Sequence, residues 1–313
     1  MEFAFINDSN ILLQEIEEPF LRKKNIRLYL LREDTIHPEI SGNKWRKLKY
    51  NLKEAHQKGD DQLLTYGGAY SNHIAATAAA GKEFGFKTVG IIRGDESFPL
   101  NTTLQLAKDK GMQLKFVSRS FYKTQKYETA FLKELEQEYG KFYIIPEGGS
   151  NELAVKGCIE IMKNVEVDYD MVCCSCGTGG TLAGIIASEV KNTEILGFPA
   201  LKGGDFLKED IIRLLNNYEE KFNLKVKNKN WRLVTDYHFG GYAKVTRPLY
   251  DFIKSFNKTH GVLLDFVYTG KMLFGLFNQI KNTSYFNHKK IIVIHTGGVQ
   301  GNKGFEERLG LKL

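Results

Sequence analysis

Short apolar runs alternate with longer amphipathic stretches along most of this chain from residue 60 onward. The runs at 62–66, 88–92, 113–117, 142–145, 170–175, 194–198 and 291–294 predict strands. Between them the spacing predicts helices over 71–84, 102–110, 123–139, 153–164, 181–190, 206–222, 247–259 and 271–281. Continuous Ile/Val-rich strands separated by helices are the mark of parallel sheets covered on both faces. The expected fold is therefore α/β, with open, twisted, mainly parallel sheets flanked by helices. No repeat, low-complexity tract or Gly/Ser/Pro linker divides the chain. Glycine turns at Gly67 and Gly177 each follow a strand and open a helix, which predicts two lobes. Ligands of such sheets lie beyond the carboxyl ends of the strands, so a cleft between the lobes is the expected site.

Composition narrows the class. The chain has 313 residues, 42% hydrophobic and 26% charged, as an ordinary globular protein does. No apolar run approaches the roughly 20 residues of a membrane-spanning helix. Met1-Glu2-Phe3-Ala4-Phe5 lacks the basic start and apolar stretch of a signal peptide, so a cytoplasmic enzyme with no membrane partner is expected. The net charge of +7 (44 basic against 37 acidic residues) is dispersed and carries no nucleic-acid motif. It reads as solvated surface rather than a nucleic-acid partner, with attraction of anionic metabolites a secondary reading. Cys173-x-x-Cys176 has the spacing of a metal or redox pair, but no second pair accompanies it and the seven histidines are scattered. The cysteines read as small apolar residues ending a strand, and no metal is expected.

Four segments carry candidate chemistry. Ser41-Gly42-Asn43-Lys44 places a lysine beside a flexible glycine and ahead of the helical Trp45-Arg46-Lys47-Leu48-Lys49-Tyr50. Near a helix start the positive dipole end favours the neutral amine, the form that attacks an aldehyde. Taken alone, though, this lysine-rich run reads as a solvated helix face. Cys176-Gly177-Thr178-Gly179-Gly180-Thr181 joins a strand to a helix, where free N–H groups and the helix dipole converge on a phosphate. It is neither a dinucleotide fingerprint nor a Walker loop. Gly67-Gly68-Ala69-Tyr70-Ser71-Asn72-His73 offers Ser71 as a helix cap and free N–H groups for a carboxylate. His73 reads equally as a structural histidine. His295-Thr296-Gly297-Gly298 ends the last strong strand, and Thr296 could offer a neutral hydroxyl to a ring nitrogen. Tyr268, beside Thr269 and Gly270, is the tyrosine best placed to cover a flat ring, with plain packing the alternative.

Together, and in this order, these motifs resemble the 1-aminocyclopropane-1-carboxylate deaminase and D-cysteine desulfhydrase family of pyridoxal-phosphate enzymes, over nearly the whole chain. The resemblance implies the tryptophan-synthase β-subunit fold (pyridoxal-phosphate fold type II). It implies a large cofactor-binding domain from 1–47 and 164–313, and a small inserted domain over 48–163. It implies pyridoxal 5'-phosphate bonded to Lys44, with Asn72 at its phenolic oxygen, the turn from Gly177 to Thr181 at its phosphate, Tyr268 against its ring and Thr296 at its ring nitrogen. Ser71, Asn72 and His73 would border the substrate carboxylate, Tyr242 would be a second tyrosine at the site, and the protein would be a homodimer.

The implied reaction is β-elimination and deamination of a small amino acid, with D-cysteine as the first substrate to try. Ring-opening deamination of the cyclopropane amino acid, a non-catalytic carrier of the cofactor and a nucleotide binder are the alternatives. The ring-opening branch has glutamate and leucine where this chain has Thr269 and Thr296. Ala69-Tyr70, Gly240-Gly241-Tyr242-Ala243-Lys244 and Val299-Gln300-Gly301-Asn302-Lys303 match neither branch. An amino acid outside both branches therefore stays open.

Overall fold

The computed structural model describes residues 5–96, 99–188 and 193–313. In chain order the strands are β1 (Leu13–Ile16), β2 (Arg27–Leu31), β3 (Gln62–Gly68), β4 (Lys87–Arg93) and β5 (Gln113–Val117). They continue as β6 (Tyr143–Ile145), β7 (Met171–Cys176), β8 (Glu194–Pro199), β9 (Trp231–Leu233) and β10 (Lys290–Ile294). The helices begin with α1 (Pro19–Lys23), α2 (Asn43–Gln57), α3 (Asn72–Phe84), α4 (Thr102–Asp109), α5 (Arg119–Thr124) and α6 (Thr129–Tyr139). They end with α7 (Glu152–Ile159), α8 (Gly180–Ala187), α9 (Leu207–Phe222), α10 (Arg247–His260), α11 (Thr269–Asn282) and α12 (Asn302–Leu309).

The strands form two sheets. One has the order β1-β2-β10-β7-β8-β9, parallel except for the antiparallel β1–β2 pair. The other has the order β5-β4-β3-β6 and is wholly parallel. The apolar runs are continuous because both faces are covered. Met171, Cys173, Ile291 and Val293 pack against α10 and α11, while Val172, Cys174, Ile292 and Ile294 face α7, α8 and α9. The adjacent Cys173 and Cys174 thus fill opposite cores as small apolar residues, and burial raises both thiol pKa values.

The structure departs from the sequence pattern in particular places. The helix expected over 123–139 is two, α5 and α6, separated by a turn that brings Tyr127 edge-on to Tyr66 at 4.8 Å. The helix expected over 153–164 tightens into a 3-10 turn at Glu160–Asn164, where the Glu160 carboxylate binds Lys49 and Tyr50. The end of the helix expected over 181–190 lies outside the described residues.

The largest correction concerns α2. Its lysine-rich run is not a surface face: Trp45, Arg46, Lys47 and Lys49 are all buried. Their charges are tolerated because each finds oxygen partners. Arg46 grips Glu33 with two N–H···O bonds of 2.9 Å each and reaches Asp8 at 2.7 Å, and Lys49 reaches the same Asp8 oxygen at 2.8 Å. Helix α7 packs closely between α2 and α8, with a glycine at each crossing. A Cβ on Gly157 would be driven into the Arg46 carbonyl, and one on Gly184 into the Cys158 Cβ, 2.2 Å away. This close stack fixes the start of α2 against the start of α8.

Removing one member of a buried ion pair strands the other without a partner, at a cost of about 3–5 kcal/mol. Arg46→Met is expected to lower stability in denaturant titration by that order. Glu33→Gln combined with Arg46→Met is expected to cost less than the two single changes added together.

Candidate active site

Lys44 is the second residue of α2. The turn before it depends on Gly42, whose φ of 60° favours glycine. A Cβ there would collide with the Thr296 carbonyl and lie 2.9 Å from the Gly297 nitrogen. The Asn43 N–H donates to that same carbonyl at 3.3 Å. The receiving turn is fixed by His295, whose Nε2 donates to the Leu263 carbonyl at 2.8 Å while its Nδ1 accepts the Gly297 N–H at 3.2 Å. Lys44 is half-buried and lines a cavity of about 190 Å³. Burial, reinforced by the charge of Lys47, pushes its pKa down to about 7. A large share of this amine is neutral at physiological pH, as attack on an aldehyde requires.

One wall of the cavity is the turn from Gly177 to Thr181. Gly179 takes the left-handed conformation (φ 79°) that starts α8, and the first turn of α8 leaves N–H groups without helical acceptors. Lys47, one turn beyond Lys44, reaches the same turn. Its Nζ donates to Gly148 O at 2.9 Å, Ser150 Oγ at 2.9 Å and Thr178 Oγ1 at 3.3 Å. Asn43 Nδ2 donates to Thr181 Oγ1 at 2.8 Å. The wall therefore joins a helix start, a buried ammonium and hydroxyls, a set suited to an anion.

The start of α3 forms another wall. Ser71 caps the helix by accepting the Ile74 N–H at 3.3 Å, and both Ser71 and Asn72 line the cavity. Asn72 lies so close to the final turn that a Cβ on Gly298 would be 2.5 Å from its Nδ2. The His73 imidazole is buried, and its pKa is well below the usual value through burial and the charges of Lys44 and Lys47. Thr65 Oγ1 donates to Ile145 O at 2.8 Å, so the neutral His73 ring donates from Nε2 to that hydroxyl, also at 2.8 Å. Its side chain braces β3, which favours the structural reading of that residue.

Tyr268 covers the cavity from α11, and a Cβ on Gly177 would be 3.1 Å from its ring. Tyr242 stands beside it, ring centroids 6.2 Å apart at 67°, and the two phenols share a hydrogen bond. Burial raises the pKa of both phenols, so both stay protonated at neutral pH. Asp265 sets the backbone beneath Tyr268: its carboxylate accepts the N–H groups of Val267, Tyr268 and Thr269 at 2.8–2.9 Å. Thr269 also donates its hydroxyl to Asp265, at 2.7 Å, and does not line the cavity. Thr296 does line it, with Ser175 Oγ 3.3 Å away.

The cavity thus gathers Lys44, Ser71, Asn72, His73, the glycine-rich turn, Tyr242, Tyr268 and Thr296. Of this set only Gly180 is not among the lining residues, although its backbone starts α8 at the wall. The sequence reading passed over Lys47, Asn43, Ser150, Ser175 and Asp265. Pro146-Glu147-Gly148-Gly149-Ser150 was the one legible signal, a glycine pair ending a strand.

A family model described as pyridoxal-phosphate dependent enzyme matches residues 13–297. The chain is 31% identical over 299 residues to the bifunctional D-cysteine desulfhydrase/1-aminocyclopropane-1-carboxylate deaminase, mitochondrial, of Arabidopsis thaliana, covering 88% of this chain and 73% of that one. It is 27% identical over 285 residues to the D-cysteine desulfhydrase of Klebsiella pneumoniae, covering 87% and 86%. A solved structure of an ACC deaminase homologue aligns with a TM-score of 0.86 and 29% identity, over 98% of this chain and 95% of that one.

The lowered pKa of Lys44 has a direct readout. In cofactor-free protein, acylation of Lys44 by acetic anhydride, followed by peptide mass spectrometry, is expected to rise with pH to its half-maximum near pH 7. An ordinary lysine titrates near 10.5. A half-maximum above pH 9 at Lys44 contradicts the depressed amine.

Proposed function

This chain belongs to the family of pyridoxal-phosphate dependent enzymes, and we propose that it is a lyase releasing ammonia and a keto acid from a small β-substituted amino acid. The observation that carries this reading is Lys44, a largely neutral amine set between two helix starts that face one cavity. The residues present fit pyridoxal 5'-phosphate. Lys47 and the turn from Gly177 to Thr181 suit its phosphate, and Tyr268 over Gly177 suits a ring face. Asn72 is a neutral partner for the phenolic oxygen, and Ser175 and Thr296 offer hydroxyls to the ring nitrogen. When bound, the cofactor supplies an aldehyde for covalent capture of the amine and a conjugated ring that accepts the electron pair of a breaking bond.

The roles of the chain's own residues follow. Lys44 Nζ, once freed, takes the α-proton. The start of α3 holds the substrate carboxylate, Ser71 supplying its hydroxyl. Tyr242 stays protonated through burial and is in position to give a proton to the departing group. With D-cysteine and water the products are pyruvate, ammonia and hydrogen sulfide. We assign the cofactor domain to residues 1–47 and 164–313 and the smaller inserted domain to 48–163; the six-stranded sheet, which joins β1 and β2 to β7–β10, supports that division. Assembly as a cytoplasmic homodimer is the family expectation. Among the described residues no helix is long and apolar enough to cross a membrane.

Borohydride reduction of the cofactor-loaded protein, followed by peptide mapping, is expected to leave the pyridoxyl group on Lys44. Label on another lysine would sink the assignment. For the reaction itself, D-cysteine is expected to give a higher kcat/KM than the cyclopropane amino acid. Neutral hydroxyls at Thr296 and Ser175 suit expulsion of a good leaving group, whereas ring opening breaks a carbon–carbon bond. A side-by-side ammonia-release assay decides between them, and a higher value for the cyclopropane substrate reverses the preference.

A further inference from the structure

The reading above provides for two anions: the cofactor phosphate at Lys47 and the start of α8, and the substrate carboxylate at the start of α3. A third cationic surface has no anion assigned to it. The cavity opens into a vestibule of about 1130 Å³, and the two share Gly68, Arg93, Glu147 and Tyr242. Arg93, Arg119, Lys123, Lys126, Lys244 and Arg308 line this vestibule, and Glu147 is its single acidic residue. That is six cations to one acid, against 44 to 37 in the whole chain. Glu147 is already neutralised by Lys126 at 2.5 Å.

Arg93 is the cation common to both chambers. Its Nη2 lies 3.3 Å from where a Cβ on Gly68 would stand, over the turn that leads to Ser71 and Asn72. Its guanidinium carbon is 5.6 Å from the Tyr122 ring centroid. Among the described residues no carboxylate lies within ion-pair distance of it, so its donor fork is available to a ligand. With the amine at Lys44 and the carboxylate at α3, the substrate side chain is left with the wall of Tyr242 and Arg93. Two of the three segments that match neither branch of the family reach this mouth, through Ala69-Tyr70 and Tyr242-Ala243-Lys244. Tyr70 faces Arg308 at 5.9 Å and the Phe305 ring at 6.2 Å, and Arg308 donates to Ala243 O at 3.0 Å.

We propose that the substrate carries a second negative charge on its side chain, a carboxylate, sulfonate or phosphate group received by Arg93, and that the basic vestibule draws it in. This rests on the amino-acid lyase reading and names its substrate class. Where the charged group is a phosphate or sulfonate that is itself the β-substituent, the α-proton passes to Lys44 Nζ and a Cα–Cβ double bond forms. The Cβ–X bond breaks and X leaves with the bonding pair. For O-phosphoserine the balance is amino acid plus water giving pyruvate, ammonia and inorganic phosphate.

The test compares the holoenzyme on both enantiomers of two anionic amino acids, O-phosphoserine and β-sulfoalanine, and two neutral ones, cysteine and β-chloroalanine. An anionic substrate is expected to have the highest kcat/KM, falling severalfold as salt rises from about 0.05 to 0.5 M, because steering is screened. Arg93→Gln is expected to lower kcat/KM for the anionic substrate by about 10- to 100-fold, the worth of a charge-assisted hydrogen bond, and by a smaller factor for the neutral one. Arg93→Lys is expected to restore part of that selectivity. Calorimetric titration of the holoenzyme with succinate gives a readout without turnover: binding should weaken in Arg93→Gln. A neutral amino acid as best substrate, an equal loss on both classes, or succinate binding indifferent to Arg93 overturns the proposal. A failure of the lyase reading looks different. No amino acid would release ammonia and Lys44 would carry no cofactor, while the succinate titration still decides the role of Arg93.

Discussion

The site depends on one close approach, the backbone of Gly42 against the carbonyl of Thr296. Two stretches distant in sequence touch there without a side chain between them, and the Asn43 N–H closes the contact. That contact sets the direction in which α2 leaves the sheet, and so where Lys44 and Lys47 point. From the far side, the glycine-mediated stack of α2, α7 and α8 fixes the same helix against the phosphate-type turn. Lys44 is located by backbone geometry at both ends, and a side chain added at Gly42 or Gly157 would force the elements that hold it apart.

Electrostatics then divides the work among cations only a few residues apart. Lys44 has no anionic partner close by, so burial removes its proton readily. Lys47 is more deeply buried but is surrounded by three oxygen acceptors. Arg46 and Lys49 face away from the cavity and are matched to Glu33, Asp8 and Glu160. One helix therefore carries a structural charge network on one side and a reactive, under-compensated pair on the other. With no carboxylate at ion-pair distance from Lys44 or Lys47 among the described residues, this side of the helix is suited to an anion.

Much of this was legible in the sequence where the determinants are local. Glycine turns between a strand and a helix announce themselves, because the chain geometry demands glycine there and the amide donors follow from it. The charged run after Lys44 was misread because the partners that let it be buried, Asp8, Glu33 and Glu160, lie far off in sequence. Ser175 and Asp265 were missed for the same reason: their roles arise only when β7, β10 and α11 converge. Strands β1 and β2 were passed over because they precede the alternation of apolar runs and helices that starts near residue 60, and β9 because it is a three-residue strand at the sheet edge. The two threonines that resemblance marked together part company in space. Thr296 faces the cavity, while Thr269 is tied to Asp265.

The order of strands in the larger sheet bears on how the molecule comes to exist. β2 and its parallel neighbour β10 are separated by most of the described chain, with Leu28 paired to Ile291. The four-stranded sheet, by contrast, is drawn wholly from residues 62–145. Its core can consolidate during synthesis, whereas β1 and β2 must wait for a strand made much later, and such long-range pairing is slow. The contact between Gly42 and Thr296 belongs to this late step. A nascent chain therefore carries Lys44 long before it has the turn that positions it, and the cavity around that amine is completed only in the last stage of folding.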